Sequence, residues 1–301
     1  MLKFIKEWML PLAMLLGAVA YPLVSYLSFL TPYLIFSMLL LTFCKLSPKD
    51  IHIRPPHIWL LLIQLTGCVL VYGALVFINP TLAQGALICV LAPTATSAAV
   101  ITGMLGGSIP FLATYLLLCN VAVAIAAPLL FSLIGVHGDQ SFFESFFLIC
   151  RQVGPLLILP LVVAWCMQCF TPKFHKKLLS IHQLSFYLWA FALVIVTGKT
   201  VKFMEQQSSS EYLVEAMLAF ISLVICIGQF LLGRRIGRHY GDAVSSGQGL
   251  GQKNTILAIW MAQVYLYPIS SIAPASYVLW QNIINSWQLW KKGKKELRKS
   301  Q

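Results

Sequence analysis

The chain has 301 residues, of which 59% are hydrophobic and 10% charged, and its mean hydropathy is +0.82. One water-soluble core cannot hide so many apolar residues, which excludes an ordinary soluble domain and indicates the membrane class. A formal net charge of +12 would suggest a nucleic-acid partner in a soluble protein, but here the basic residues cluster beside apolar runs and indicate membrane topology.

A helix that crosses the bilayer needs about 20 mostly apolar residues. The apolar windows predict ten such helices, at residues 8–29, 32–46, 57–78, 83–104, 109–134, 145–170, 180–200, 212–234, 246–266 and 269–290. These windows use up the chain and leave no room for a separate soluble domain of normal size. The predicted fold is therefore an all-α integral membrane protein with ten transmembrane helices.

The basic residues divide unequally between the two sides of these ten spans. If the N-terminus is cytoplasmic, the cytoplasmic loops and ends hold 17 of the 21 Lys and Arg residues. They are Lys3, Lys6, Lys45, Lys49, Arg54, Lys173, Lys176, Lys177, Arg234, Arg235, Arg238, Lys291, Lys292, Lys294, Lys295, Arg298 and Lys299. The positive-inside rule then predicts a multi-pass protein of the plasma (inner) membrane with both termini in the cytoplasm.

A polar stretch at residues 135–145 divides the ten spans into five plus five. An odd number of spans per half gives two related halves opposite orientations in the membrane. This is the inverted-repeat arrangement of secondary transporters, in which matching helices of each half are broken near the middle of the bilayer. The span count therefore predicts a five-plus-five inverted repeat.

Helix-breaking residues occupy the fourth span of each half. Pro93 removes a backbone donor from the first of them, and Gly249 and Gly251 weaken the second. Backbone groups freed at bilayer depth are tolerated only where they face protein or water, so the two breaks are predicted to cross in the core. The N-terminal ends of the resulting half-helices would attract an anion.

Polar side chains beside the two breaks are the candidate substrate-binding residues. They are Thr94, Thr96, Ser97, Gln252, Asn254 and Thr255. The alternative is that glycine and small polar residues here serve close helix packing, as they often do in membranes.

Lys253 is a charged residue in the middle of the ninth span. Such a charge is costly unless it is paired or solvated, and by default it marks a transport path. The alternative is a lysine near a helix end whose ammonium reaches water. Glu215, the other ionisable candidate, is predicted to lie at the surface near the outer end of the eighth span.

No catalytic or cofactor motif is apparent. The eight cysteines are predicted to be small buried apolar residues, because they lie in or beside apolar runs without His at metal-ligand spacing. The chain has no phosphate-binding loop, Ser-His-Asp set or zinc motif. We therefore expect neither an ATP-driven pump nor an enzyme, and no metal or cofactor.

At the two interrupted spans the chain resembles the bile acid/sodium symporter family. In that family the fourth helix carries a P-G-G-T-A-S-N type of segment and the ninth carries E-x-G-x-Q-N; here PTATSAA (Pro93–Ala99) and GLGQKN (Gly249–Asn254) match them. Span count and layout agree over nearly the full length. The resemblance implies that Thr96 and Asn254 touch substrate.

The resemblance also implies two subdomains. A panel would consist of spans 1, 2, 6 and 7, at about 8–46 and 145–200. A core would consist of spans 3–5 and 8–10, at about 57–134 and 212–290, followed by a basic cytoplasmic tail at 291–301.

The sodium ligands of the family are not present in this chain. Side chains of the family's fourth, fifth and ninth helices supply oxygen atoms to two sodium ions. The corresponding positions here are Ala98, Ala99, Leu112, Leu116, Gly249 and Lys253. A shifted register would bring Gln248 and Gln252 to the ninth-helix positions but would not restore the fourth-helix pair. Our hypothesis is that the Lys253 ammonium replaces the bound cation and couples transport to protons.

The sequence thus predicts a secondary transporter that moves a small organic anion (a bile acid, a keto acid or a pantoate-like acid) by alternating access without sodium. Three alternatives stay open: a sodium-coupled organic anion symporter, an auxin-efflux-type carrier and a passive channel. The expected partners are the anion and the lipid bilayer, and the sequence does not specify which anion is carried.

Overall fold

The computed structural model describes residues 9–46, 51–135, 141–180, 184–205 and 212–299, and these residues are helical with short connections and no strand. The helices are α1 (Met9–Val19), α2 (Tyr21–Val24), α3 (Thr31–Phe43), α4 (Pro55–Leu75), α5 (Pro80–Leu91), α6 (Ala98–Leu105), α7 (Ile109–Ile134), α8 (Phe142–Phe170), α9 (Pro172–Ser180), α10 (Leu184–Glu205), α11 (Tyr212–His239), α12 (Ala243–Gly251), α13 (Thr255–Tyr265) and α14 (Ile272–Lys299). Two 3-10 helices, Ser25–Leu30 and Pro268–Ser271, precede α3 and α14. Most of the predicted dividing stretch (136–140) and the last two residues of the predicted tail lie outside the described residues.

Six helical segments of the described chain are long and apolar enough to cross a bilayer. They are Tyr21–Phe43, Pro55–Leu75, Ile109–Ile134, Phe142–Phe170, Tyr187–Glu205 and Tyr212–His239. The fourth and ninth predicted spans are each divided into two helices, of 12 and 8 residues and of 9 and 11 residues, so neither half reaches the length of a full span. The ten-span count and the inverted repeat therefore stay predictions.

The chain divides into two compact units, each drawn from separate stretches of sequence. The first unit contains Met1–Pro48, Ala124–Glu215 and Ile256–Ile272, and the second contains Lys49–Val123, Ala216–Thr255 and Ala273–Gln301. Residues 124–134 and 256–272, which the predicted core subdomain includes, group with the first unit. The division into panel and core stays a prediction.

Helices α1 and α10 pack closely in the first unit because glycines face each other at their contact. A β-carbon on Gly17 would meet the Thr197 side chain at 3.0 Å, and one on Gly198 would meet the Gly17 carbonyl oxygen at 3.1 Å. Small residues let helix backbones approach in this way, as is common in membrane helices.

Helices α4 and α5 of the second unit begin at well-defined caps. Pro55 and Pro56 stand in the first turn of α4, where a missing N–H costs nothing, and the Arg54 N–H donates to His57 Nδ1 at 2.8 Å. Pro80 plays the same part in α5, and the Leu82 N–H donates to the Asn79 side chain at 3.1 Å.

Helix α11 packs against α12 through two glycines one turn apart. A β-carbon on Gly233 would meet the Ser246 carbonyl oxygen and would lie 2.9 Å from the Gly247 Cα. A β-carbon on Gly237 would meet the Asp242 carbonyl oxygen and would lie 2.7 Å from the Ser246 side chain. Because the atoms in the way are largely backbone, they cannot move aside without displacing α12.

We expect Gly233→Ala to destabilise the protein by about 1–3 kcal/mol, the usual effect of overpacking. Gly228→Ala is the matched control on the same helix, because a β-carbon there meets nothing within 4 Å. The control should be neutral or stabilising by about 0.5–1 kcal/mol, since alanine is the better helix former. Thermal melts of both variants in detergent test this, and equal melting temperatures would contradict it.

Burial corrects two of the sequence predictions. Five of the eight cysteines are buried as predicted, but Cys150 is half-buried and Cys166 and Cys169 are exposed on α8, so the prediction is wrong for these three. Glu215 was expected at the surface and is only 8% exposed. Apolar context in the sequence does not separate a helix face that meets protein from one that does not.

Candidate functional site at the two helix interruptions

The first interruption separates α5 from α6 at residues 92–97. Pro93 has no N–H to donate to the Cys89 carbonyl, and the residue before a proline is driven to extended backbone. Ala92 accordingly has φ −46° and ψ 136°. The helix therefore ends at Leu91, beside the proline that the sequence identified as its breaker.

The second interruption separates α12 from α13 at residues 252–254. Gly249 and Gly251, predicted as the breaking residues, instead lie in the last turn of α12, and the chain leaves the helix at Gln252 with φ −95° and ψ 103°. A β-carbon on Gly249 would lie 2.8 Å from the Tyr115 ring, and one on Gly251 would meet the Phe230 ring. These glycines are needed because aromatic rings pack against the helix backbone.

The two interruptions pair with each other through their backbones. The Ala95 N–H donates to the Gln252 carbonyl and the Asn254 N–H donates to the Pro93 carbonyl, both at 2.8 Å. These bonds form one antiparallel bridge centred on Thr94 and Lys253. Backbone groups that the broken helices leave free are thereby satisfied without water.

The side chains of Thr94 and Lys253 each donate a hydrogen bond to a backbone carbonyl on the other side of the bridge. In continuous helices the Val90 carbonyl would accept from residue 94 and the Gly249 carbonyl from residue 253. Instead the Lys253 ammonium donates to the Val90 carbonyl at 2.9 Å, and the Thr94 hydroxyl donates to the Gly249 carbonyl at 2.7 Å. Each side chain caps the half-helix on the other side of the bridge.

Two glutamines cap the remaining free carbonyls of α5. Gln229 Nε2 donates to the Cys89 carbonyl at 3.2 Å, which is the carbonyl that Pro93 cannot serve. Gln64 Nε2 donates to the Leu91 and Ala92 carbonyls at 2.8 and 3.0 Å. With Lys253 on Val90, every carbonyl from residue 89 to residue 92 has a side-chain donor.

Helix α14 supplies two further partners of the second interruption. The Tyr277 hydroxyl donates to the Gly251 carbonyl at 2.8 Å, and the Lys253 N–H donates to Gln281 Oε1 at 2.9 Å. Both α14 side chains are buried. The second interruption is therefore stabilised by side chains of α14 as well as by the bridge.

The Lys253 ammonium is enclosed, because the residue is only 1% exposed. Among the residues described, the titratable groups close enough to act on its charge are the thiols of Cys68, Cys89, Cys119 and Cys226, with no carboxylate. The four thiols do not form a metal-binding group within the described chain. The positive charge is offset by the Val90 carbonyl at the C-terminal, negative end of α5.

The predicted substrate-binding residues differ in how accessible they are. Ser97 is exposed and accepts a hydrogen bond from Gln252 Nε2 at 2.9 Å, and Thr96 is half-buried. Asn254 and Thr255 are buried, while the Thr94 hydroxyl is fully buried and committed to Gly249. Gln252 Oε1 is buried without a hydrogen-bond partner. Of these six residues, only Thr96 and Ser97 are not buried.

Sequence reasoning did not single out Gln64, Gln229, Tyr277 or Gln281. A signal for the glutamines was present, because each is an uncharged polar residue inside an otherwise apolar window. Their partners are backbone carbonyls far along the chain, which no local pattern specifies.

No protein-family model matches the chain, and no curated protein sequence matches it either.

Proposed function

We propose that the chain is a secondary carrier that moves a small organic anion across a membrane by alternating access, with Lys253 in the place of a bound cation. The six long apolar helices are compatible with a membrane transporter. The observation that carries the proposal is the pairing of two helix interruptions around a buried lysine. Broken helices at bilayer depth are a feature of transporter binding sites, and an intramembrane charge is functional by default.

The positions of the helices support the proposed inverted repeat. Thr94 and Lys253, the paired residues of the bridge, are 159 positions apart. A shift of 159 residues carries α4 into α11, α5 onto α12, α6 into α13, and α7 onto the 3-10 helix and α14. The bridge would then join equivalent residues of two related halves. This arrangement favours the bile acid/sodium symporter-like fold over an unrelated ten-helix bundle.

The surroundings of the interruptions support transport without sodium. Ala98, Leu112 and Leu116, which stand where the family has sodium ligands, are fully buried apolar residues. Sodium needs several oxygen ligands, and these side chains have none. The Lys253 ammonium binds the Val90 carbonyl at the end of α5. It thereby takes the structural role that a bound cation would otherwise have.

We further propose that the protein lies in the plasma membrane with both termini in the cytoplasm. The proposal rests on the distribution of Lys and Arg along the chain. It places the C-terminal end of α11, with Arg235 and Arg238, on the cytoplasmic side.

A ligand screen followed by uptake tests the proposed function. Thermal shifts of the purified chain would be measured with cholate, pyruvate and pantoate, with and without sodium and at two pH values. The anion that stabilises most would then be followed into proteoliposomes. Uptake should saturate and show counterflow, whereas linear uptake without counterflow would indicate a channel.

We expect uptake to keep its rate, within about twofold, when choline replaces all sodium. The physical reason is that Ala98, Leu112 and Leu116 offer a sodium ion no side-chain oxygen, while a fixed ammonium lies beside the bridge. Uptake that stops in choline would contradict sodium independence and favour a sodium-coupled symporter. A pH gradient imposed in choline then tests whether protons are the coupling ion.

A further inference from the structure

A stripe of polar side chains runs along one face of α14. Tyr277, Gln281, Asn285, Gln288 and Lys292 follow each other at intervals of three or four residues, which places them on the same face of the helix. The stripe begins at the interruption, where Tyr277 and Gln281 bond the Gly251 carbonyl and the Lys253 N–H. It ends where the Lys292 ammonium donates to the Met104 carbonyl at 2.8 Å.

Arg234 orders the amide side chains in the middle of this stripe. A guanidinium is only a donor, so its Nη2, 2.7 Å from the Gln288 side chain, must face Gln288 Oε1. Gln248 Nε2 donates to the same oxygen at 3.1 Å and to Asn285 Oδ1 at 3.0 Å. The orientation of all three amides therefore follows from the position of Arg234.

This order leaves two buried polar atoms without partners. Asn285 Nδ2 is a donor and Gln248 Oε1 an acceptor, and neither has a hydrogen bond. Flipping the amides would point an oxygen at the Gln288 oxygen or an amide N–H at Arg234. A buried polar group without a partner destabilises the folded protein. The stripe thus keeps unused hydrogen-bonding capacity in the interior of the unit.

Lys253 and Arg234 are two of the several cations in the second unit, and they differ in how accessible they are. Lys253 is 1% exposed and its ammonium is held by the Val90 carbonyl. Arg234 is half-buried and uses one of its five N–H donors on Gln288. No carboxylate within the described residues pairs with Arg234, and the charged group that acts on it is Arg238. Of these two cations, Arg234 is the one whose remaining N–H donors are available to an anion.

We propose that Arg234, with the amides of Gln288, Gln248 and Asn285 behind it, binds the carboxylate of the transported anion, while Lys253 only maintains the interruption. The proposal rests on the carrier function proposed above. A guanidinium matches a carboxylate through two parallel N–H donors, which a lysine ammonium cannot do. The stripe on α14 then provides polar groups between this position and the interruption.

Two variants test the assignment in the full-length protein. Arg234→Gln removes the charge. Gln288→Glu places a carboxylate of nearly the same shape 2.7 Å from Arg234. The new carboxylate neutralises the charge of the guanidinium while the packing is kept. Arg238→Gln, one turn further along α11 and exposed, is the matched control. Affinity is measured by thermal-shift titration with whichever of pyruvate, pantoate and cholate stabilises the wild type most.

The first two variants should bind the anion at least tenfold more weakly than the wild type, and Arg238→Gln should stay within twofold. Gln288→Glu should melt no lower than the wild type, which separates a binding role of Arg234 from a structural one. If Gln288→Glu is stable and binds as the wild type does, or if the wild type binds none of the three anions, the assignment is overturned.

The same variants keep the two proposals apart. Saturable uptake by wild type, Arg234→Gln and Gln288→Glu alike would overturn the assignment of Arg234 and leave the carrier function standing. Binding that depends on Arg234 in a protein without saturable uptake would overturn the carrier function and leave the assignment of Arg234 standing.

Discussion

Replacement of Lys253 by glutamine should lower saturable anion uptake by roughly a hundredfold. The change removes the charge-assisted hydrogen bond between the ammonium and the Val90 carbonyl at 2.9 Å. Such bonds contribute about 1.5–3 kcal/mol, and 3 kcal/mol corresponds to somewhat more than a hundredfold in an equilibrium constant. The backbone bridge and the Thr94 bond would remain, but the end of α5 would lose the ammonium that ties it to the second interruption, and the binding geometry would be populated correspondingly less.

The melting temperature of Lys253→Gln should change by only a few degrees, because two effects on the free energy of unfolding oppose each other. Loss of the donor leaves the Val90 carbonyl unsatisfied, which destabilises. Removal of a buried charge without an ionic partner stabilises. Uptake in proteoliposomes and a thermal melt of the same preparation measure both quantities.

Lys291→Gln is the matched control for Lys253→Gln. Lys291 is exposed, with its ammonium 5.0 Å from the centre of the Trp287 ring, and its loss should leave uptake within about twofold. Uptake by Lys253→Gln at the wild-type level would refute a role for the cation. The pH profile adds a second distinction: a lysine that carries the coupled proton predicts residual uptake without pH dependence, whereas a structural cation predicts an unchanged profile.

Replacement of Gln64 by leucine should produce the largest loss of stability of the substitutions considered, about 4 kcal/mol. Gln64 donates to the Leu91 and Ala92 carbonyls and accepts from the Tyr115 hydroxyl at 2.9 Å. Leucine has nearly the same size but leaves these three buried groups unpaired. Each costs about 1–3 kcal/mol, and part of the loss is recovered through apolar contact.

Thr66→Val, on the same helix, is the control for Gln64→Leu. The Thr66 hydroxyl is exposed and bonds only the Leu62 carbonyl of its own helix, so its loss should cost less than about 0.5 kcal/mol. Thermal melts compare the two variants. A Gln64→Leu protein as stable as Thr66→Val would mean that the end of α5 is satisfied in another way.

Of the candidate site, the sequence predicted what a single residue imposes on its own backbone. Pro93 ends α5 because a proline has no N–H, whatever surrounds it. Glycine has no such fixed consequence, so the interruption expected at Gly249 and Gly251 lies after them, where Lys253 and its neighbours find partners outside the helix. The depth of Lys253 could likewise be anticipated, because a charged residue in the middle of a long apolar run is far from both ends of the helix.

The helical, membrane-type composition, the apolar windows, the proline break and the depth of Lys253 were thus predictable, because they follow from local chemistry and spacing. The donors that satisfy the broken backbone depend on tertiary packing: Gln64, Gln229 and Tyr277 reach it from other helices, and Thr94 and Lys253 cap each other's half-helix. These partners are far apart in the chain, and a carbonyl can accept from any donor that packing brings within about 3 Å. The choice among donors is therefore made by packing, and no local pattern records it.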